Sequence, residues 1–165
     1  MLEIDHIGIA VKELATSIPL FEKLLNSQCY KTEKIESEHV TTAFFKTGET
    51  KLELLESTTD DGIIAKYIAK KGEGIHHIAF EVADIFVEMK RLKGEGFTLL
   101  SEQPKVGADN KLVCFLHPKG SNSVLIEICQ TQVGELPRPL KGGNFTSLLL
   151  FVHLICTINF QMLYN

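Results

Sequence analysis

Gly74-Ile-His-His-Ile-Ala-Phe-Glu-Val82 has an echo near the start of the chain, Glu3-Ile-Asp-His-Ile-Gly-Ile-Ala-Val11. A shift of 71 residues lays His77 on His6, Ile78 on Ile7, Ala79 on Gly8, Phe80 on Ile9 and Val82 on Val11. Both runs are short, β-branched and alternating, which predicts strands. Period two puts His6, Gly8 and Ala10 on one face and Ile7, Ile9 and Val11 on the other. The second copy sets His77, Ala79 and Glu81 against Ile78, Phe80 and Val82. The apolar faces call for helices to pack on them. The histidine faces carry small neighbours, which predicts room above each imidazole for something other than protein. On strict alternation His76 points away from His77 and is structural.

A second echo follows. Lys51-Leu-Glu-Leu-Leu-Glu56 matches Leu125-Ile-Glu-Ile-Cys-Gln130 with Glu53 on Glu127, a shift of 74. Each glutamate interrupts an apolar strand, where a carboxylate must be paired, metal-bound or costly. Each half therefore supplies one histidine early and one glutamate late. His6, Glu53, His77 and Glu127 together suit a borderline or hard divalent ion such as Co²⁺, Mn²⁺, Zn²⁺ or Mg²⁺. Four protein donors on a six-coordinate ion leave two positions for a bidentate oxygen ligand. The absence of cysteine from the set argues against a closed structural zinc site. Any one of these residues alone reads as ordinary strand chemistry; equivalence across two copies lifts the set above that. His39, His117 and His153 lack such a pattern, and His117, before Pro118, is a turn residue or a substrate contact.

The rest of the chain repeats one order. Ser17 is a candidate cap for a helix with Pro19 in its first turn and Ile18, Phe21, Leu24 and Leu25 as its stripe. Strands are expected over 27–34, 40–46 and 51–56, with a tight hairpin at Thr47-Gly-Glu-Thr50. A short helix, 63–70, leads to the second copy. There Asp84 caps a helix with Ile85, Met89 and Leu92 on one face, and strands follow over 97–101, 112–116 and 123–129. The fold class is α+β: two tandem βαβββ modules, 1–58 and 73–132, forming a curved eight-stranded mixed sheet with helices outside.

At 165 residues and 44% hydrophobic, the chain suffices for one domain of ordinary size, or two small half-domains sharing a buried core, placed at 1–132. A net charge of −4 without a Lys/Arg cluster argues against nucleic acid as a partner. The start of the chain shows no basic or apolar leader, so a cytoplasmic protein is expected, with Cys29, Cys114, Cys129 and Cys156 reduced. Residues 133–165 read as a linker and an apolar tail. Three readings stand for the tail: an added packing element, an appended segment without a role in activity, or a membrane anchor. Its uncharged stretch is borderline for the ~20 apolar residues that a membrane helix needs.

From Met1 to about Gln132 the sequence resembles the vicinal oxygen chelate superfamily, and within it the methylmalonyl-CoA epimerases. The resemblance rests on Asp5-His-Ile-Gly-Ile-Ala-Val11, Gly48-Glu-Thr-Lys-Leu-Glu-Leu-Leu-Glu56, Gly72-Glu-Gly-Ile-His-His-Ile-Ala-Phe-Glu-Val82, Phe115-Leu-His-Pro-Lys119 and Val124-Leu-Ile-Glu-Ile-Cys-Gln130. It implies the same four metal ligands, a divalent ion (Co²⁺ first, then Mn²⁺, Zn²⁺, Mg²⁺ or Ni²⁺), and a homodimer. The implied reaction interconverts (2R)- and (2S)-methylmalonyl-CoA through a chelated enolate, with Glu127 as one base. Some relatives carry glutamine at Glu53, and some a second glutamate where this chain has Thr42, which cannot act as a base. Lys111, His117 and Lys119 are candidate contacts to the CoA thioester. A glyoxalase-type isomerase, lactoylglutathione lyase-like, and a non-catalytic small-molecule binding protein of the same fold are the alternatives.

Overall fold

The computed structural model describes residues 3–132. The expected linker and tail, 133–165, lie outside the described residues. Strand β1 spans Glu3–Ala10, helix α1 Leu14–Leu25, and strands β2, β3 and β4 Lys31–Ile35, Val40–Thr47 and Thr50–Ser57. Helix α2, Ile63–Lys71, connects to β5, Gly74–Glu81. Helix α3, Ile85–Gly94, and strands β6 (Lys105–Val106), β7 (Lys111–Leu116) and β8 (Ile126–Thr131) complete the repeat. Each module is thus βαβββ, as the sequence predicts, with α2 as an added connector.

All eight strands form one mixed sheet in the order β2-β3-β4-β1-β5-β8-β7-β6. The modules meet at its centre, where β1 and β5 run antiparallel. Outward from that pair, β1 lies parallel to β4 with Gly8 opposite Glu53, and β5 parallel to β8 with Ala79 opposite Glu127. The two registers are the same under the sequence shifts. The duplication therefore places the four singled-out residues on four adjacent central strands.

The core is split between the modules. Helix α1 packs Ile18, Phe21 and Leu25 over Val11, Ala43, Phe45 and Leu54. Helix α3 buries Ile85, Met89 and Leu92 with Cys114, Leu116 and Ile128. Full burial of an aliphatic or aromatic side chain stabilises by ~1.5–3 kcal/mol, so these layers fix both helices on the sheet. Asp84 caps α3 as expected, accepting from the Phe86 and Val87 amides. Helix α2 departs from the expected outer position: its Ile63 and Ile64 line the cavity on the sheet's other face.

Three local expectations are corrected. Helix α1 begins a turn before Ser17, because Leu14 is buried beside Val11 and its amide donates to Glu56 Oε2 on β4 at 2.9 Å. Ser17 is therefore buried inside the helix, Pro19 follows it there, and Leu24 is 71% exposed rather than part of the stripe. Residues 97–101 form a single bridge, Leu99 to Leu116, instead of a strand. The other half of β7 pairs with Lys105–Val106, and Pro104, which has no N–H to donate, breaks the run between. Strand β8 starts at Ile126, three residues later than the sequence suggests, since 118–123 is occupied by turns. Among the described residues Cys29, Cys114 and Cys129 are free thiols, as expected. No helix among the described residues is long and apolar enough to cross a membrane.

Candidate metal centre

The small residues facing the histidines have a use that alternation alone does not reveal. Gly8 is the cross-strand partner of His77, and Ala79 that of His6. A Cβ on Gly8 would fall 2.2 Å from His77 Cε1. The space over Gly8 thus holds the partner strand's imidazole, not a foreign group as expected. Each module makes room for the histidine of the other.

Across that exchange the two rings meet edge to face, with His6 Nε2 and His77 Nε2 2.9 Å apart. Glu53 Oε2 lies 3.2 Å from His6 Nε2 and 3.5 Å from His77 Nε2. Glu127 Oε2 lies 3.4 Å from His77 Nε2. All four side chains are buried, none more than 6% exposed. Two imidazoles and two carboxylates crowded to hydrogen-bond distance with no apolar filler form a donor set that fits a divalent cation. Among them His6, His77 and Glu127 offer ligand atoms within 4.8 Å of one another.

Two β-bulges shape the site. Between Ile4 and His6 the pairing with β5 advances by only one residue, leaving Asp5 extra, and between His77 and Ile75 it skips His76. An inserted residue breaks strict alternation and re-aims side chains. Asp5 and His76 consequently line the same cavity as His6 and His77. Asp5 Oδ2 accepts from His6 Nδ1 at 2.8 Å, and His76 Nδ1 lies 3.0 Å from His77 Nδ1. This corrects the expectation that His76 points away. The two bulged residues are themselves 71 apart, so the bulge is part of the duplicated unit.

The charges are strongly coupled. Burial opposes the His6 imidazolium, but its hydrogen bonds to Asp5 and Glu53 and the nearby carboxylates outweigh it and raise its pKa to about 10. Burial likewise opposes the Glu53 carboxylate, yet His6 and His77 pull its pKa down to about 2. Glu127 moves the other way: burial raises its pKa against the attraction of the histidines. Two carboxylates in one site are thereby set apart, Glu53 held as an anion and Glu127 the readier proton acceptor.

Lys111, a candidate CoA contact in the sequence, opens β7 and lines the cavity. It is buried, its ammonium held by Asp5 Oδ1 at 2.7 Å, Thr131 Oγ1 at 3.0 Å and the Glu81 carboxylate. His117 caps the turn after β7 by accepting from the Lys119 amide, and neither of these two residues lines the cavity. Thr42 does line it, and is buried, its hydroxyl turned to the Glu33 carbonyl. The cavity itself is about 350 Å³ and otherwise mostly apolar, walled by Val40, Phe44, Leu55, Val113, Phe115 and Leu125.

Lining residues Glu38, Lys105 and Asp109 take part in ion pairs. Asp109, in the loop between β6 and β7, pairs with Lys31 on β2 at 3.1 Å and Lys51 on β4 at 2.7 Å, and its amide donates to Glu33. Lys105 on β6 reaches Glu38 at 3.1 Å. Charge therefore ties the β6–β7 loop to β2 and β4, and β6 to the turn that follows β2. Sequence reasoning overlooked Asp5, Lys51 and Asp109; for Asp5 the signal was present as the polar residue preceding each of the two paired histidines.

Comparison with known proteins agrees with this architecture. A protein of Bacillus subtilis called YqjC is 35% identical over 79% of this chain and 93% of its own length. The ethylmalonyl-CoA/methylmalonyl-CoA epimerase of Cereibacter sphaeroides is 36% identical over 77% of this chain and 96% of its own. A variant of the Streptomyces coelicolor methylmalonyl-CoA epimerase, solved with 2-nitronate-propionyl-CoA, superposes with a TM-score of 0.76 at 34% identity, covering 79% of this chain and 97% of that one. Residues 5–115 match the model of one family, and with it the fold, the duplication and the paired bulges have a common frame: the chain belongs to the glyoxalase/bleomycin resistance protein/dioxygenase superfamily.

Proposed function

We propose that this chain is a metal-dependent methylmalonyl-CoA epimerase. The observation that carries the reading is the convergence of His6, Glu53, His77 and Glu127 on the floor of the cavity. It occurs in a chain whose relatives include epimerases of 2-alkylmalonyl-CoA thioesters. These four residues would hold a divalent ion, Co²⁺ being the first choice. When bound, such an ion supplies a Lewis acid for the negative charge that develops on substrate oxygens.

The protein's own groups do the rest. Glu127, whose proton affinity burial raises, takes the proton from C2. The electron pair left on C2 delocalises into the thioester carbonyl, and return of a proton from the opposite face inverts the centre. Thr42 has no titratable group and is not the second proton carrier. The apolar walls exclude water from the exposed carbon, which protects it from side reactions. Lys111 serves this site through Asp5, while His117 and Lys119 at the β7–β8 turn are left as candidate CoA contacts beyond the cavity. The activity is assigned to residues 1–132, in a cytoplasmic homodimer.

Deuterium wash-in tests the reading. Full-length protein is incubated with methylmalonyl-CoA in D₂O, with Co²⁺ and after chelator stripping, and C2 is followed by NMR. We expect metal-dependent exchange that His77→Ala abolishes. Folded, metal-loaded protein that exchanges nothing would overturn it.

A further inference from the structure

The two ligand histidines are braced by different chemistry. His6 Nδ1 faces the Asp5 carboxylate at 2.8 Å, so that nitrogen carries a hydrogen and Nε2 is turned to the donor cluster. On His77, Nε2 likewise faces His6, Glu53 and Glu127. Its Nδ1 faces no carboxylate but the Nδ1 of His76, at 3.0 Å. Two facing imidazole nitrogens at that distance share one hydrogen between them. A histidine that presents its Nε2 lone pair to a cation keeps its hydrogen on Nδ1.

We propose that His76 is the positioning residue of the site's second histidine: its Nδ1 accepts the His77 Nδ1 hydrogen and commits the His77 Nε2 lone pair to the donor cluster. The inference rests on the metal-site reading above and adds a residue to it. It is the counterpart of what Asp5 does for His6, performed at the equivalent bulge by a neutral ring instead of an anion. The brace is itself held from α2. Tyr67 meets the His76 ring edge to face, centroids 4.9 Å apart, and its hydroxyl donates to the Ile75 carbonyl at 2.6 Å. The connector helix thus pins the backbone and the ring of the bulge together.

The resulting hydrogen bonds run outward from His6, one way to Asp5 and the other way through His77 to His76. Asp5 accepts from His6 Nδ1, His6 Nε2 faces the His77 Nε2 lone pair, and His77 Nδ1 donates to His76. A neutral brace also leaves the two histidines unequal as ligands, His6 being the more basic because its partner is charged.

The tautomer is the direct readout. Full-length, metal-free protein labelled with ¹⁵N-histidine is expected to show His77 protonated at Nδ1 and bare at Nε2. His76→Ala is expected to mix the His77 tautomers and to weaken Zn²⁺ binding, measured calorimetrically, about 10–100-fold. His76→Asp, which copies the carboxylate arrangement of the first module, is expected to restore both. Wild-type His77 found protonated at Nε2 overturns the proposal even if the alanine variant does not fold. So does an alanine variant with unchanged tautomer and affinity, or an aspartate variant that restores neither. Wild-type protein with the expected tautomer but no affinity for Zn²⁺ or Co²⁺ instead overturns the metal reading and, with it, the role assigned to the brace.

Discussion

Gly8 on β1 is the cross-strand partner of His77 on β5, and the imidazole occupies the volume that a side chain at position 8 would fill. The nearest ring atom would stand 2.2 Å from a Cβ, well inside contact distance. One methyl group must therefore displace His77 from Glu53 and Glu127. Gly8→Ala is expected to leave the far-ultraviolet circular dichroism unchanged and to weaken Co²⁺ binding by at least tenfold (about 1.4 kcal/mol). Calorimetric titration with wild-type affinity for the ion would show that the ring can move without consequence.

Glu53 and Glu127 are expected to respond oppositely when the metal is absent. Glu53 has a lowered pKa, so it contributes stability above its unfolded value, lost as pH falls toward about 2. Glu127 has a raised pKa, so its ionisation opposes folding once pH exceeds the unfolded value. At neutral pH, Glu53→Gln should destabilise the metal-free protein by about 1–3 kcal/mol. Glu127→Gln should instead stabilise it slightly, while removing at least 100-fold of the exchange activity. Urea midpoints for the two variants and the parent decide it; equal shifts of one sign would refute the division of roles.

The duplicated core was open to sequence reading because hydrophobic alternation and two fixed shifts constrain it jointly. Ile9 and Val11, or Ile85, Met89 and Leu92, fall where periodicity puts them. The cavity side was less legible. Alternation assigns faces only while pairing is regular, and a bulge at Asp5 and another at His76 add a polar group each to the histidine face. The capping of α1 by Glu56 and the ties made by Asp109 join residues 42 or more apart, which no local pattern records. The four candidate donors were legible for the reason Asp5 and His76 were not: repetition marks them, whereas Asp5 and His76 repeat a position with a different residue.

Charge links the edge strand β2 to the β6–β7 loop. Asp109 holds Lys31 and Lys51, and its own side chain is 28% exposed while that of Lys51 is 16% exposed. Partial burial places these pairs between exposed ones, worth under ~1 kcal/mol, and buried ones costing ~3–5 kcal/mol to break. Asp109→Ala is expected to cost about 1–3 kcal/mol, less in high salt, and to raise hydrogen exchange at Tyr30–Glu33 and at the loop itself. Hydrogen exchange confined to the loop would mean that β2 is held by its pairing with β3 alone.

Proton release should accompany metal loading. In the metal-free site His6 donates to Asp5 through Nδ1, and its raised pKa of about 10 means that Nε2 is also protonated at neutral pH. A cation needs that lone pair, so it must displace the proton. Below about pH 10 the apparent association constant should therefore rise with pH, close to tenfold per unit where one proton leaves per ion. At lower pH the raised pKa of Glu127 adds a second proton to displace and steepens the dependence. Asp5 stays ionised throughout, since its pKa is lowered: burial opposes this, but His6, Lys111 and Lys51 prevail. Calorimetry of Zn²⁺ binding in buffers of different ionisation enthalpy counts the protons directly. About one proton per ion near neutrality is expected. In Asp5→Asn the count should fall, because the neutral amide no longer holds the His6 proton against the metal. A count of zero in the parent protein would mean that His6 is already neutral and that Asp5 and Glu53 do not govern it.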